Sequence, residues 1–108
     1  MSRDSRRCKP VPAEVRQTAD LLERRWQLSI IYAALAGALR FNDFADAIAG
    51  ISPRMLSERL RDLEAAGLIE RKVIPSSPPK VEYRLTNRGR QLAPVIDAMR
   101  TCAGEPDG

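Results

Sequence analysis

The chain has 108 residues and a mass of 12.0 kDa, room for one domain with a modest core, and its hydrophobic content of 44% is ordinary for a folded globular chain. No run approaches the roughly 18 consecutive apolar residues of a membrane-spanning helix, and no apolar secretory segment follows the charged start, so a cytoplasmic protein is expected. Eighteen Lys+Arg against fourteen Asp+Glu give +4, which suits a polyanionic partner, while the lack of any histidine removes the commonest general base and imidazole metal ligand.

Residues 1–11 are polar and contain proline, and are expected to form a flexible basic arm, with Arg3, Arg6, Arg7 and Lys9 as its cations. An ordinary tail is the plain reading, and entry into a minor groove is the alternative. The domain proper is expected over 12–102. From Pro12 the spacing of Val15, Ala19, Leu22 and Trp26 predicts a first helix. A second, apolar nearly all round, carries Leu28, Ile31, Tyr32 and Leu35 and stops at Gly37, so it is expected to be the central core helix. A short third helix follows, with Asn42 as its predicted N-cap and Phe44, Ala45 and Ile48 as its apolar face. Gly50 then supplies a turn.

The fourth helix is the most informative. Ser52 is a preferred N-cap, Pro53 fits the first helical position, and Gly67 is the expected stop. Leu56, Leu60 and Leu63 make one buried stripe. The opposite face offers Arg54, Ser57, Glu58 and Arg61, the side chains that a helix reading the major groove needs. Solvated helix arginines paired with Glu58 are the bland alternative. Arg59 is expected to brace the motif through an ion pair rather than to touch a ligand.

Two strands come next, LIERKVI and VEYRLT, the second alternating with Val81, Tyr83 and Leu85 on one side. PSSPPK between them makes a stiff, exposed connection. Arg71, Lys72 and Arg84 on this hairpin are consistent with simple strand solubility. Thr86 is the predicted cap of a last helix bearing Leu92, Val95, Ile96 and Met99, which Pro94 should kink or divide. Residues 103–108 read as a disordered tail. The order α-α-α-α-β-β-α, mainly helical with one small hairpin, predicts a winged helix-turn-helix.

No phosphate-cradling glycine loop is present, and Cys8 and Cys102 form neither a CxxC pair nor a zinc spacing. No catalytic site, metal site or cofactor is therefore expected, and the chain is not expected to be an enzyme.

Leu21, Leu22 and Trp26, the run Arg40-Phe41-Asn42-Asp43-Phe44, the run Ile51 to Glu70, and Val81-Glu82-Tyr83-Arg84-Leu85-Thr86 together resemble the HxlR-type family of bacterial regulators, relatives of the MarR group. The resemblance covers roughly residues 13–100. It implies a transcription regulator, more commonly a repressor, associated with the nucleoid. It also implies a homodimer joined through its N- and C-terminal helices, binding double-stranded DNA at a near-palindromic operator. Arg54, Ser57 and Arg61 would then reach bases or adjacent phosphates, with Ser52 presenting its hydroxyl to phosphate. Met55 faces either a thymine methyl or the interior. Ser76, Ser77 and Lys80 of the wing would lie along the backbone or minor groove, and Arg40 would act as a phosphate clamp.

Family members commonly carry a sensing cysteine just before the first helix, where this chain has Ala13. Glu23-Arg24-Arg25-Trp26 also replaces the usual Gly-Gly before the basic residue and tryptophan. An intersubunit Cys8–Cys102 disulfide is one switch to consider, with two inert thiols as the alternative. A small aromatic or quinone-like effector in a pocket of Trp26, Tyr32, Leu92 and Met99 is another, with an ordinary core as its alternative. A winged helix used for protein–protein contact is the alternative to DNA reading.

Overall fold

The computed structural model describes residues 8–104, so Arg3, Arg6, Arg7 and the end of the tail lie outside the described residues. The elements run α1 (Ala13–Leu22), α2 (Gln27–Leu35), α3 (Phe41–Ala47), α4 (Pro53–Ala65), β1 (Ile69–Ile74), β2 (Lys80–Leu85), α5 (Asn87–Arg90) and α6 (Ala93–Cys102). This is a winged helix-turn-helix whose last helix is divided.

α2 is the hub, touching α1, α3, α4, α6 and β2. Ile30 and Ile31 are fully buried on it, and they meet Phe44 of α3 and the Leu56, Leu60 and Leu63 stripe of α4 in one cluster. Each such side chain contributes about 1.5–3 kcal/mol on leaving water, so these three helices are committed to one core. The hairpin pairs antiparallel from Ile69 opposite Leu85 to Ile74 opposite Lys80. Its inner end closes on the core through Ile69 and Leu85, and its outer end projects as the wing.

Two sets of bonds fix the hairpin to the helices. The Tyr83 amide donates to the Leu39 carbonyl at 2.7 Å, and the Tyr83 ring meets Phe44 edge-on at 6.3 Å between centroids. On the other side Thr86 acts as a latch. Its amide donates to the Leu68 carbonyl at 3.0 Å, its hydroxyl donates to the Gly67 carbonyl at 2.6 Å, and the same oxygen accepts the Gly89 amide at 3.1 Å. That N-cap ties α5 to the turn between α4 and β1.

Several sequence expectations are corrected. α1 does not run on to Trp26; it ends at Leu22, and the chain turns through Glu23–Arg25 to Trp26, the N-cap of α2. Asn42 does not cap α3. Arg40 occupies the N-cap, because the Asp43 carboxylate at the third helical position accepts the Leu39 and Arg40 amides and moves the start upstream. Lys80 is the first residue of β2 and not part of the connecting loop, which is 75–79. Leu92 does not share a face with Met99. Gln91 and Leu92 separate α5 from α6, with Pro94 in the first turn of α6, and this break turns Leu92 into the core while Met99 stays exposed.

Candidate nucleic-acid interface

The start of α4 is built by its own sequence. Ser52 is extended, its hydroxyl oxygen accepts the Met55 amide at 3.0 Å, and Pro53 takes the first helical position. With three leucines drawn inward, the helix turns Arg54 and Arg61 fully to solvent, with Ser57 and Glu58 partly so. The Arg54 side chain is 90% exposed, and its Nε lies 3.4 Å from Glu58 Oε2. Arg61 Nη1 donates to Ser57 Oγ at 3.3 Å, so its neighbour is Ser57 and not Glu58. Both are exposed, long contacts worth at most about 1 kcal/mol. They hold the guanidinium groups on the outer face yet are weak enough to be exchanged for a phosphate or a guanine edge. Met55 is half-buried at the rim of this face.

The flanking residues fall on two further surfaces. Ser76, Ser77 and Lys80 are exposed on the wing, where the Ser76 hydroxyl donates to the Pro78 carbonyl at 2.6 Å. Lys72 faces Glu82 across the hairpin, and Arg84 bonds Glu82 along its own strand. Arg40 is exposed at the head of α3. The amides of Arg40 and Leu39, at 2.9 and 3.0 Å from Asp43 Oδ2, hold the Asp43 carboxyl below the usual carboxylate range. No group of three or more potential metal ligands gathers among the described residues.

Behind α4 lies an ionic seam that sequence reading found only in part. Arg59 pairs with Asp62 as expected, with its side chain 15% exposed. The same Asp62 oxygen also accepts Arg24 Nη1 at 3.0 Å, from the turn between α1 and α2, 38 positions away. Nothing local signals that contact.

A cavity of about 990 Å³ opens between α2, α3 and α6, with Trp26, Tyr32 and Met99 in its wall beside Ile48, Ile96 and Asp46. Leu92 is not in that wall; it is packed in the core cluster, 9% exposed. Trp26 is partly buried, with the Arg25 guanidinium stacked 4.6 Å from its ring centroid. Cys8 and Cys102 are both exposed free thiols. α1 buries none of its residues, and Val11, Val15, Val95 and Met99 are all exposed.

The geometry has close counterparts. The family described as HxlR-like helix-turn-helix matches residues 21–105. The HTH-type transcriptional regulator YvaP of Bacillus subtilis (strain 168) is 39% identical over 89 residues, covering 82% of each chain. The reduced form of the transcriptional regulator YodB from B. subtilis superposes with a TM-score of 0.78 at 36% identity, covering 87% of this chain and 92% of that one. A quinone-bound structure of YodB gives 0.74 at 32% identity, covering 89% and 100%. The redox regulator HypR in its oxidised form gives 0.79 at 36% identity, covering 89% and 99%. With its family match spanning most of the chain and its winged fold shared with these regulators, this chain belongs to the HxlR-like helix-turn-helix family of transcriptional regulators.

Proposed function

We propose that the protein is a homodimeric regulator, acting as a repressor, that binds a near-palindromic operator in double-stranded DNA. The observation that carries this reading is the exposed outer face of α4, where Arg54, Ser57 and Arg61 are held clear of a leucine stripe buried on the other side. α4 enters the major groove, Arg54 and Arg61 take base edges or adjacent phosphates, and Ser52 donates its free hydroxyl proton to a phosphate. Glu58 orients Arg54 until DNA displaces it, and Met55 packs at the rim. The wing, with Ser76, Ser77 and Lys80, follows the backbone or minor groove, and Arg40 clamps a phosphate.

Dimer formation explains α1. A ten-residue helix that buries none of its own residues is marginal alone in water. Pairing through the exposed Val11, Val15, Val95 and Met99 removes that apolar surface from solvent. The regulator works in the cytoplasm on nucleoid DNA, and no helix among the described residues is long and apolar enough to cross a membrane. Release follows when a small aromatic or quinone-like molecule fills the cavity walled by Trp26, Tyr32 and Met99. The quinone-bound structure of the relative YodB supports that choice of ligand class. A second route is oxidation joining Cys8 and Cys102 between subunits, for which both thiols are accessible.

The test begins with a duplex recovered from a random-sequence pool by the wild-type protein. Arg54→Ala and Arg61→Ala are each expected to weaken binding to that duplex by about 1–3 kcal/mol and to relax its sequence preference. Unaltered affinity in both variants would overturn the assignment of this helix.

A further inference from the structure

The turn Arg24–Arg25–Trp26 has one side in the cavity and the other on the DNA-reading helix. Trp26 forms part of the cavity wall and is the one non-glycine residue with positive φ among the described residues, at 79°. A left-handed backbone at a bulky residue persists only where its surroundings fix it. Here the surroundings are the Arg25 guanidinium over the indole, the Arg24 carbonyl accepting the Gln27 amide at 3.2 Å, and Gly50. A Cβ built on Gly50 would lie 3.7 Å from Trp26 Cη2, so the indole rests against the turn from which α4 is launched. Two residues earlier, Arg24 reaches Asp62 on α4 at 3.0 Å, and Asp62 in turn holds Arg59 of the same helix. The segment therefore touches the turn before α4 at Gly50 and holds α4 itself at Asp62, towards its finish.

We infer that Arg24, Arg25 and Trp26 form the coupling element between the effector cavity and the recognition helix, with Arg24 as a positioning residue for operator binding. This rests on the DNA-binding and effector readings above. Filling the cavity displaces the indole, and the left-handed turn cannot follow without moving Arg24 relative to Asp62. The tilt of α4 then changes while its own contacts to DNA stay chemically intact. By linkage the effect is reciprocal, so DNA that sets the tilt of α4 must also change the surroundings of Trp26.

The chain has a single tryptophan, so its fluorescence reports this turn alone. The experiment titrates full-length protein with the pool-selected duplex, following both affinity and Trp26 emission. In the wild type, saturating duplex is expected to shift the emission. Arg24→Gln is expected to lose the shift and to bind up to about fivefold more weakly, the ceiling that a half-exposed ion pair sets. Arg24→Lys, which keeps the cation, is expected to restore part of both. Arg24 is half-exposed and its loss leaves the Asp62–Arg59 pair in place, so Arg24→Gln should melt close to wild type. Asp62→Asn breaks the link from the other end together with the Arg59 pair, so it should give the same two losses and a lower melting temperature than Arg24→Gln. Wild-type protein that binds the duplex with unmoved emission would overturn the coupling and leave the DNA reading standing. So would Arg24→Gln protein that keeps both shift and affinity. A wild type that selects no duplex would overturn both.

Discussion

Gly89→Ala sets two physical effects against each other. Gly89 lies inside α5, and in a helix interior alanine is favoured over glycine by roughly 0.5–1 kcal/mol. Propensity alone therefore predicts a more stable protein. The packing predicts the opposite. A Cβ at this position would lie 2.2 Å from the Leu68 carbonyl oxygen and 2.9 Å from Leu85 Cδ2. The oxygen cannot swing aside freely, because it accepts the Thr86 amide at 3.0 Å. Either α5 lifts from the hairpin or the Thr86 latch opens. Overpacking of this kind costs about 1–3 kcal/mol, and loss of a Thr cap adds about 0.5–2 kcal/mol. After the propensity gain is subtracted, a net loss of roughly 1–4 kcal/mol remains. For a domain of this size each kcal/mol lowers the midpoint by about 4–8 °C, so thermal unfolding followed by far-ultraviolet circular dichroism reads the result directly. A variant as stable as wild type, or more stable, would refute the packing argument.

Two further predictions follow from the described surfaces. Val15→Asp places a charge on the half-exposed α1 face and should convert the proposed dimer to monomer in light scattering while leaving far-ultraviolet ellipticity nearly unchanged; a variant as dimeric as wild type would remove α1 from the interface. Asp43 has its pKa lowered by the Arg40 and Leu39 amides, so its stabilising contribution is complete above the ordinary carboxylate pKa and is lost as pH falls through the lowered folded value. Wild type should thus lose stability across that acid range by more than Asp43→Asn does, and parallel acid unfolding curves would contradict the capping role.

Some of this was written locally in the chain. α4 was legible because Ser52, Pro53, three leucines and Gly67 each act within a few residues of where they stand, and the core agrees with that local pattern. The hairpin was legible because alternation at Val81, Tyr83 and Leu85 follows directly on a proline-rich connection. The end of α1 was not legible. Leu22 and Trp26 are spaced as in one helix, but Trp26 turns left-handed and its indole meets Gly50, 24 positions on, under the guanidinium of the adjacent Arg25. Asn42 looked like a cap because its side chain suits one, yet an Asp one position later reaches two amides and shifts the start. Leu92 matched Met99 by period, and the break beside Pro94 separates them. The Arg24–Asp62 bond and the crowding at Gly89 are purely tertiary, joining segments that carry no mark of one another.

The central claim is that the α4 face and wing read DNA. It is tested most directly by the salt dependence of wild-type binding to the pool-selected duplex and to a scrambled one. The proposal puts Arg54, Arg61, Arg40 and Lys80 against phosphates, where they would release counterions, so the logarithm of affinity should fall linearly and steeply with the logarithm of salt concentration for both duplexes. The selected duplex should stay on the order of a thousandfold or more tighter. Binding that is flat across low and moderate salt, or equal for the two duplexes, would contradict the account.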